Sequence, residues 1–392
     1  EAMPRVHVET AIEQFGGTLG LIETEIPRHL ADAPELASIV EPVLGRAREA
    51  VSAHVSWLRE QLDGAAGDPR LGAELFAQKL ALVLDVDRSP LQVLQAALDD
   101  IDRVEAELAA VAASLGGPPR EVLDRLAADA PTDDTVVAIA REALAEATEF
   151  VSSHDLITLY PDPVEVVVMP EIHRGVAVAY CDPPGALDPP DAVTFFAISP
   201  TPAGWSPERV ASFYREYNVH AMRNLVIHEA MPGHVLQLAH SRRGPVPTKV
   251  HQAFWNGPFV EGWAVYAEQE MVRHGFGGPQ VRMQQLKMRL RTAINAVLDV
   301  RVHCDGLGRD DAMALMVGRG HQEDGEASGK WRRALLTSAQ LSTYHVGVTQ
   351  VSEIAGRLRF AYPAWSDRRV HEAMLAHGNP PPRHLPALLG LR

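Results

Sequence analysis

Apolar positions in the first 155 residues recur at helical spacing. Val51, Val55, Leu58 and Leu62 form one stripe of a helix expected over 47–62. The same period runs from Val6 to Leu62, with Gly16-Gly17 and Ala33-Pro34 expected to interrupt it. Further helices are expected over 71–84, 91–115, 120–128 and 135–153. Ser89-Pro90 opens the second of these with a hydroxyl cap and a proline at the first helical position, and Gly116-Gly117-Pro118-Pro119 stops it. Beyond Leu156 the character changes. Residues 164–169, 175–180 and 192–198 are β-branched or aromatic runs separated by turns such as Asp182-Pro183-Pro184-Gly185, and they predict a small antiparallel sheet. From Trp205 the helical period returns. Ser206-Pro207 caps one helix, and others are expected over 222–231, 261–272, 283–302, 310–317, 327–336 and 343–358 and from Asp367 to Gly378, with a loop after Gly244-Pro245-Val246-Pro247. The expected fold is mainly α: a helical region over 1–155, a β-rich segment over 156–204 with a small antiparallel sheet, and a second helical region over 205–392, joined as one integrated unit.

Composition narrows the partners. With 46% hydrophobic residues in 392, the chain has enough apolar surface for a large core or two adjoining ones. Its 51 acidic against 36 basic side chains, net charge −15, argue against nonspecific attraction to nucleic acid. No apolar run reaches the ~18 residues that a membrane span needs. Two cysteines, Cys181 and Cys304, make no disulfide framework, and a reducing, cytoplasmic setting is the simpler expectation. Cys304 lies beside His303 and Asp305, but no nucleophile signature surrounds it. Residues 1–10 lack a basic-then-apolar leader, which a leader already removed would equally explain. Nothing in the sequence sets the oligomeric state.

The chemistry concentrates in His228-Glu229-Ala230-Met231-Pro232-Gly233-His234 and, after it, Glu261-Gly262-Trp263-Ala264-Val265-Tyr266. A catalytic zinc site takes three protein ligands, keeps one position for water, and uses a nearby carboxylate to accept the water's proton. The usual H-E-x-x-H places both imidazoles on one helical face. Here the second lies six residues on, roughly 120° around a regular helix. Pro232 and Gly233 are expected to end or bulge the helix after Met231 and swing His234 back toward His228. Glu229, directly after the first histidine, is the expected general base. Glu268 follows Glu261 by seven residues and shares its face, so it is either an acceptor for a ligand imidazole or itself the third ligand. A second copy of the spelling, His371-Glu372-Ala373-Met374-Leu375-Ala376-His377, has neither the Pro-Gly break nor a downstream E-G-x-A segment, and it reads as an ordinary final helix. His240, His251 and His321 have no supporting pattern.

These two segments resemble the H-E-A-x-P-G-H and E-G-W-A-x-Y-A-E motifs of a bacterial family of predicted zinc hydrolases known by a domain of unknown function. That family is similar in layout to the Glu-zinc metallopeptidases, including the thimet oligopeptidase-like enzymes and the aminopeptidases with an N-E-G-F-A segment. The resemblance runs over most of the chain and is sharp from Trp205 to Gly347. It implies His228, His234 and Glu261 as ligands of Zn2+, and a peptide or small amide as substrate. Gln340-Leu341-Ser342-Thr343-Tyr344-His345-Val346-Gly347 is similar to the family's Q-A-L-S-Y-x-x-G, with Arg333 matching an arginine before it and Ser338-Ala339 standing where the family has Pro-Gly. A Tyr344 hydroxyl or a histidine is expected to donate to the oxyanion, the alternative for Tyr344 being a ring that anchors its helix. Arg333 and His345 are expected at the substrate. Asp299 and His303 resemble the family's D-x-x-x-H, and His303 is expected on a polar wall of the cleft as a further catalytic group, the alternative being a simple pair near a helix end. The expected activity is hydrolysis of amide bonds. A tailoring step on a small amide and a non-catalytic protein with a structural metal clamp are the alternatives.

Overall fold

The computed structural model describes residues 2–391 apart from 176, 186, 187, 190 and 245–253. The chain divides into two compact units, Glu1–Arg70 and Leu71–Arg392. In the first, α1 (Arg5–Gly20) leads through a wider turn into α2 (Ile26–Ala31). Then α3 (Ala37–Gln61) folds back on α1 around Val8, Leu58 and Ala65. Gly16-Gly17 does not interrupt α1, contrary to expectation. Glycine weakens a helix by about 1 kcal/mol without forbidding it. Ala33-Pro34 is a true break, where Pro34 starts a short tight turn.

The second unit begins with α4 (Ala73–Leu84), α5 (Pro90–Ser114), α6 (Pro119–Ala127) and α7 (Val136–Ser153). Ser89 and Gln92 form a reciprocal capping box at the start of α5, as Ser89-Pro90 implied. Three strands follow: β1 (Val164–Val168), β2 (Ala179–Asp182) and β3 (Thr194–Ile198), in spatial order β1-β3-β2. β2 and β3 pair antiparallel, whereas β1 runs parallel to β3, with Val164 opposite Thr194 and Val168 opposite Ile198. The expected sheet is therefore present but mixed. A consecutive hairpin fixes the β2–β3 direction, and β1 takes the far edge of β3, where Arg141 of α7 donates to the Val166 carbonyl.

After α8 (Pro207–Glu216), capped by Ser206, come α9 (Val219–Glu229), α10 (His234–Arg243) and α11 (Gly257–Arg273). Then follow α12 (Gly278–Asp305), α13 (Asp324–Leu336), α14 (Thr343–Ala361) and α15 (Asp367–Leu375). No separate helix was expected where α10 stands, and its buried face includes the polar Gln237 and His240. The loop expected after Gly244-Pro245 and the residue His251 lie outside the described residues. The boundaries expected at 155 and 204 are not where the units divide. α5 packs its apolar face on α12, and α7 packs on α9, so the early helices after Leu71 belong with the site helices. One apolar core lies between α4, α5 and α12. The other joins α7, the sheet, α9, α11, α14 and α15, and the site is built on its helices.

Candidate metal centre

Asn218 starts the first site helix by accepting the backbone N–H groups of His220 and Ala221. α9 ends at Glu229, and His234 is already the first residue of α10. The chain turns in four residues, 230–233, through a cis Met231-Pro232 peptide. Gly233 donates its N–H to the Ile227 carbonyl at 2.9 Å. A Cβ at Gly233 would stand 1.9 Å from the His228 oxygen and 2.2 Å from that of Ile227, so only glycine fits so close to the end of α9. The requirement is one of space, since its φ of −70° lies outside the left-handed region. The turn sets the His228 and His234 rings 4.9 Å apart, nearly perpendicular at 85°.

The third residue arrives on α11. Trp263 Nε1 donates to the Pro232 carbonyl at 2.9 Å and so ties this helix to the turn. One residue before Gly262, Glu261 places Oε2 3.4 Å from His228 Nε2 and 3.7 Å from His234 Nε2. Ligating atoms of the three residues lie within 4.8 Å of one another. Bonds of about 2.1 Å to a tetrahedral ion set neighbouring ligand atoms about 3.4 Å apart, so the spacing fits a metal of that geometry. Glu261 Oε2 is buried and accepts no aligned hydrogen bond, leaving a lone pair for a cation.

Glu268 is the outer partner. It accepts His228 Nδ1–H at 2.7 Å on one oxygen and Asn224 Nδ2–H at 2.7 Å on the other, which turns His228 Nε2 toward Glu261. The Glu261 and Glu268 carboxylates hold the His228 pKa well above its ordinary value against the effect of burial. His234 is pushed down to about 4 by burial, which keeps its imidazole neutral, as ligation requires. Burial raises the Glu229 carboxyl to about 7, and the charges of Glu261 and Glu268 add to the shift. His228 and the Cys181 backbone N–H, which bonds the Glu229 carboxylate, oppose it. Cys181 lies on β2, an edge strand of the sheet, so that edge runs beside Glu229.

Tyr344 reaches the same place from α14. A Cβ on Gly262 would meet the Gly347 backbone at 2.4 Å, and one on Gly347 would meet the Pro258 oxygen at 2.1 Å. α11 and α14 thus touch backbone to backbone, which sets Tyr344 in the field of Glu261 and bonds it to Arg333. Burial raises the Tyr344 pKa and keeps the phenol a neutral donor. Arg333 also feels Glu261, and its Nε donates to Gln340 at 3.1 Å.

Two expected residues are placed elsewhere. His303 is buried and stacked on Phe76, with Nε2 donating to the Thr337 carbonyl at 2.8 Å and Nδ1 accepting the Leu71 N–H at 3.4 Å. Asp299 accepts from the Ala339 and Ser342 backbone and from the Ser342 hydroxyl. The D-x-x-x-H pair therefore clamps the loop that leads into α14, instead of walling the cleft. His345 is buried with Nε2 3.6 Å from Asp100 of α5 and lines, with Arg289 and Thr349, a separate cavity of about 620 Å3. In the second H-E-A-M copy, His371 to Leu375 lie on α15, which ends before His377, and His371 is bonded to the Leu156 carbonyl and the Tyr266 hydroxyl. Among the described residues one other group has metal-ligand spacing, Glu270, His274 and Asp367. Arg273 and Arg359 already neutralise its carboxylates. Sequence reading missed Asn224, although it lies four residues before His228 on the same helical face.

None of the curated proteins matches the chain. Among solved structures it is similar to a candidate lipoprotein of unknown function from Shewanella oneidensis, with 30% identity and a TM-score of 0.83, over 99% of this chain and 74% of that one. It is also similar in fold to a candidate lipoprotein from Colwellia psychrerythraea, with 18% identity and a TM-score of 0.82, over 99% of this chain and 70% of that one. Among the described residues no helix is long and apolar enough to cross a membrane. Residues 1–389 match the family described as bacterial protein of unknown function (DUF885), and the chain belongs to that family.

Proposed function

We propose that the protein is a zinc-dependent hydrolase of peptide bonds. The observation that carries this reading is the donor set His228, His234 and Glu261 at tetrahedral spacing, with the half-buried Glu229 directly after the first ligand. Histidine and carboxylate donors in a three-ligand set suit zinc with one position left open. Bound there, zinc supplies Lewis acidity, which acidifies water and polarises a carbonyl.

The protein groups supply the rest. Glu229, with a pKa near neutrality, takes the proton of the attacking water and returns it to the departing amine. The Tyr344 hydroxyl donates to the oxygen that gains charge as the carbonyl becomes tetrahedral. Water's oxygen ends on the acyl carbon and its protons on the new carboxyl and amine groups. The outer edge of β2 receives the substrate backbone as an added strand, because the Cys181 N–H already points toward Glu229. An envelope location, in place of the cytoplasmic one expected from two unpaired cysteines, follows the description of the Shewanella relative as a candidate lipoprotein.

A mixed peptide library read by mass spectrometry tests the reading. Zinc-loaded protein is expected to produce new termini, chelator to stop it, and added zinc to restore it. Intact peptides after prolonged incubation with zinc-loaded protein would contradict it.

A further inference from the structure

Arg333 differs from the other arginines of this part of the fold. Arg291 pairs with Glu326, Arg289 with Asp100, and Arg273 and Arg359 share Glu270 and Asp367. Arg333 has no carboxylate within ion-pair distance among the described residues. Its Nε is fixed by Gln340 at 3.1 Å, and the guanidinium bonds the Tyr344 hydroxyl within the field of Glu261. One turn earlier on α13, Lys330 is buried with its nitrogen 3.9 Å from the Glu326 carboxylate, and burial lowers its pKa to about 7, so the lasting positive charge here is that of Arg333. Once Glu261 gives its charge to a metal, the half-buried Arg333 has no counter-ion at ion-pair distance among the described residues.

A partly desolvated cation gains most from an anion that arrives with the ligand. The planar fork of arginine matches a carboxylate with two parallel hydrogen bonds. A peptide carries one such group at a fixed distance from its last amide bonds, the C-terminal carboxylate. We propose that Arg333 reads the free C-terminal carboxylate of the substrate, so that the site removes the last one or two residues of a peptide chain. This rests on the hydrolase reading above and adds the end of the chain from which it works. Tyr344 interacts with both Arg333 and Glu261, so the bond to be cut is expected between the anchored terminus and the donor set.

The test uses paired N-acetyl hexapeptide mixtures, one ending in a free carboxylate and one in a carboxamide, with zinc-loaded protein. The free acids are expected to lose one or two C-terminal residues, and the amides to react at least a hundred-fold more slowly. Arg333→Met should raise KM for the free acids at least ten-fold, and Arg333→Lys should recover part of that loss. A binding measurement avoids turnover: by calorimetry, zinc-loaded Glu229→Gln should bind the free acids at least ten-fold more tightly than the amides. Adding Arg333→Met should erase that preference. Should Arg333→Met not fold, the comparison of acid with amide on the other two proteins still decides. Equal cleavage of both mixtures at internal bonds would overturn this inference and leave the hydrolase reading standing. An equal fall in kcat on both mixtures in Arg333→Met would assign Arg333 to the oxyanion and overturn it too. Cleavage of neither mixture would overturn this inference, and the hydrolase reading would fall with it only if the mixed peptide library also stays intact.

Discussion

Gly262 and Gly347 decide where Tyr344 stands, because each occupies space that a single methyl group would take from the opposite backbone. Gly347→Ala should therefore lower stability by about 1–3 kcal/mol through overpacking. It should also reduce turnover by displacing Tyr344, and a wild-type melting temperature would contradict the close approach. Tyr344→Phe should leave metal content unchanged and lower kcat by about 10²–10³. An unchanged kcat would reduce Tyr344 to packing. At this scale the spacing of His228, Glu229, His234 and Glu261 was readable, since a metal needs those side-chain types together. The roles of His303 and His345 were not, because motif position does not say which way a side chain points on α12 or α14. The outer role of Glu268, left open by its shared face with Glu261, needed the direction of the His228 ring.

Among elements, the turn between α9 and α10 is the decisive one. Replacing Pro232-Gly233 by Leu-Ala keeps every proposed ligand but puts a Cβ where the His228 and Ile227 carbonyl oxygens stand. The variant should lose stoichiometric metal, as measured on the purified folded protein. His371→Ala, in the second copy, should keep it. Retained metal in the turn variant would show that His234 reaches its position without the break. The break itself was legible, from a proline and a glycine between two histidines too far apart for one helical face. Helix positions along most of the chain were legible too, from caps such as Ser89 and Ser206. The strand order was not, because periodicity places residues on a face and carries no information on which neighbour a strand takes. Gly16-Gly17 misled for a related reason, since a glycine pair punctuates a chain only where packing lets it.

For the whole molecule, the ion network joining α11, α14 and α15 ties stability to pH. Burial opposes charge on Glu270, but His371, Arg273 and Arg359 hold its pKa down to about 2, from 4.5 when unfolded. A depressed carboxyl pKa contributes stability that is present above the unfolded value and lost as pH falls through the folded one. The contribution, about 3 kcal/mol, should disappear between about pH 4.5 and 2. Glu270→Gln should be less stable than the parent at neutral pH and should converge with it in acid. Parallel acid-unfolding curves would contradict that role. The network anchors the same helices that carry Glu261 and Tyr344, so the site and its frame share one core.

The central claim is that His228, His234 and Glu261 hold one catalytic metal that Glu229 serves without binding. Metal analysis of the purified protein and of His228→Ala, His234→Ala, Glu261→Ala and Glu229→Gln, each assayed on the same peptide library, tests it most directly. One zinc per chain is expected in the parent and in Glu229→Gln, far less in the three ligand variants, and turnover only in the parent. Full zinc in all three ligand variants, or full turnover in Glu229→Gln, would contradict the account.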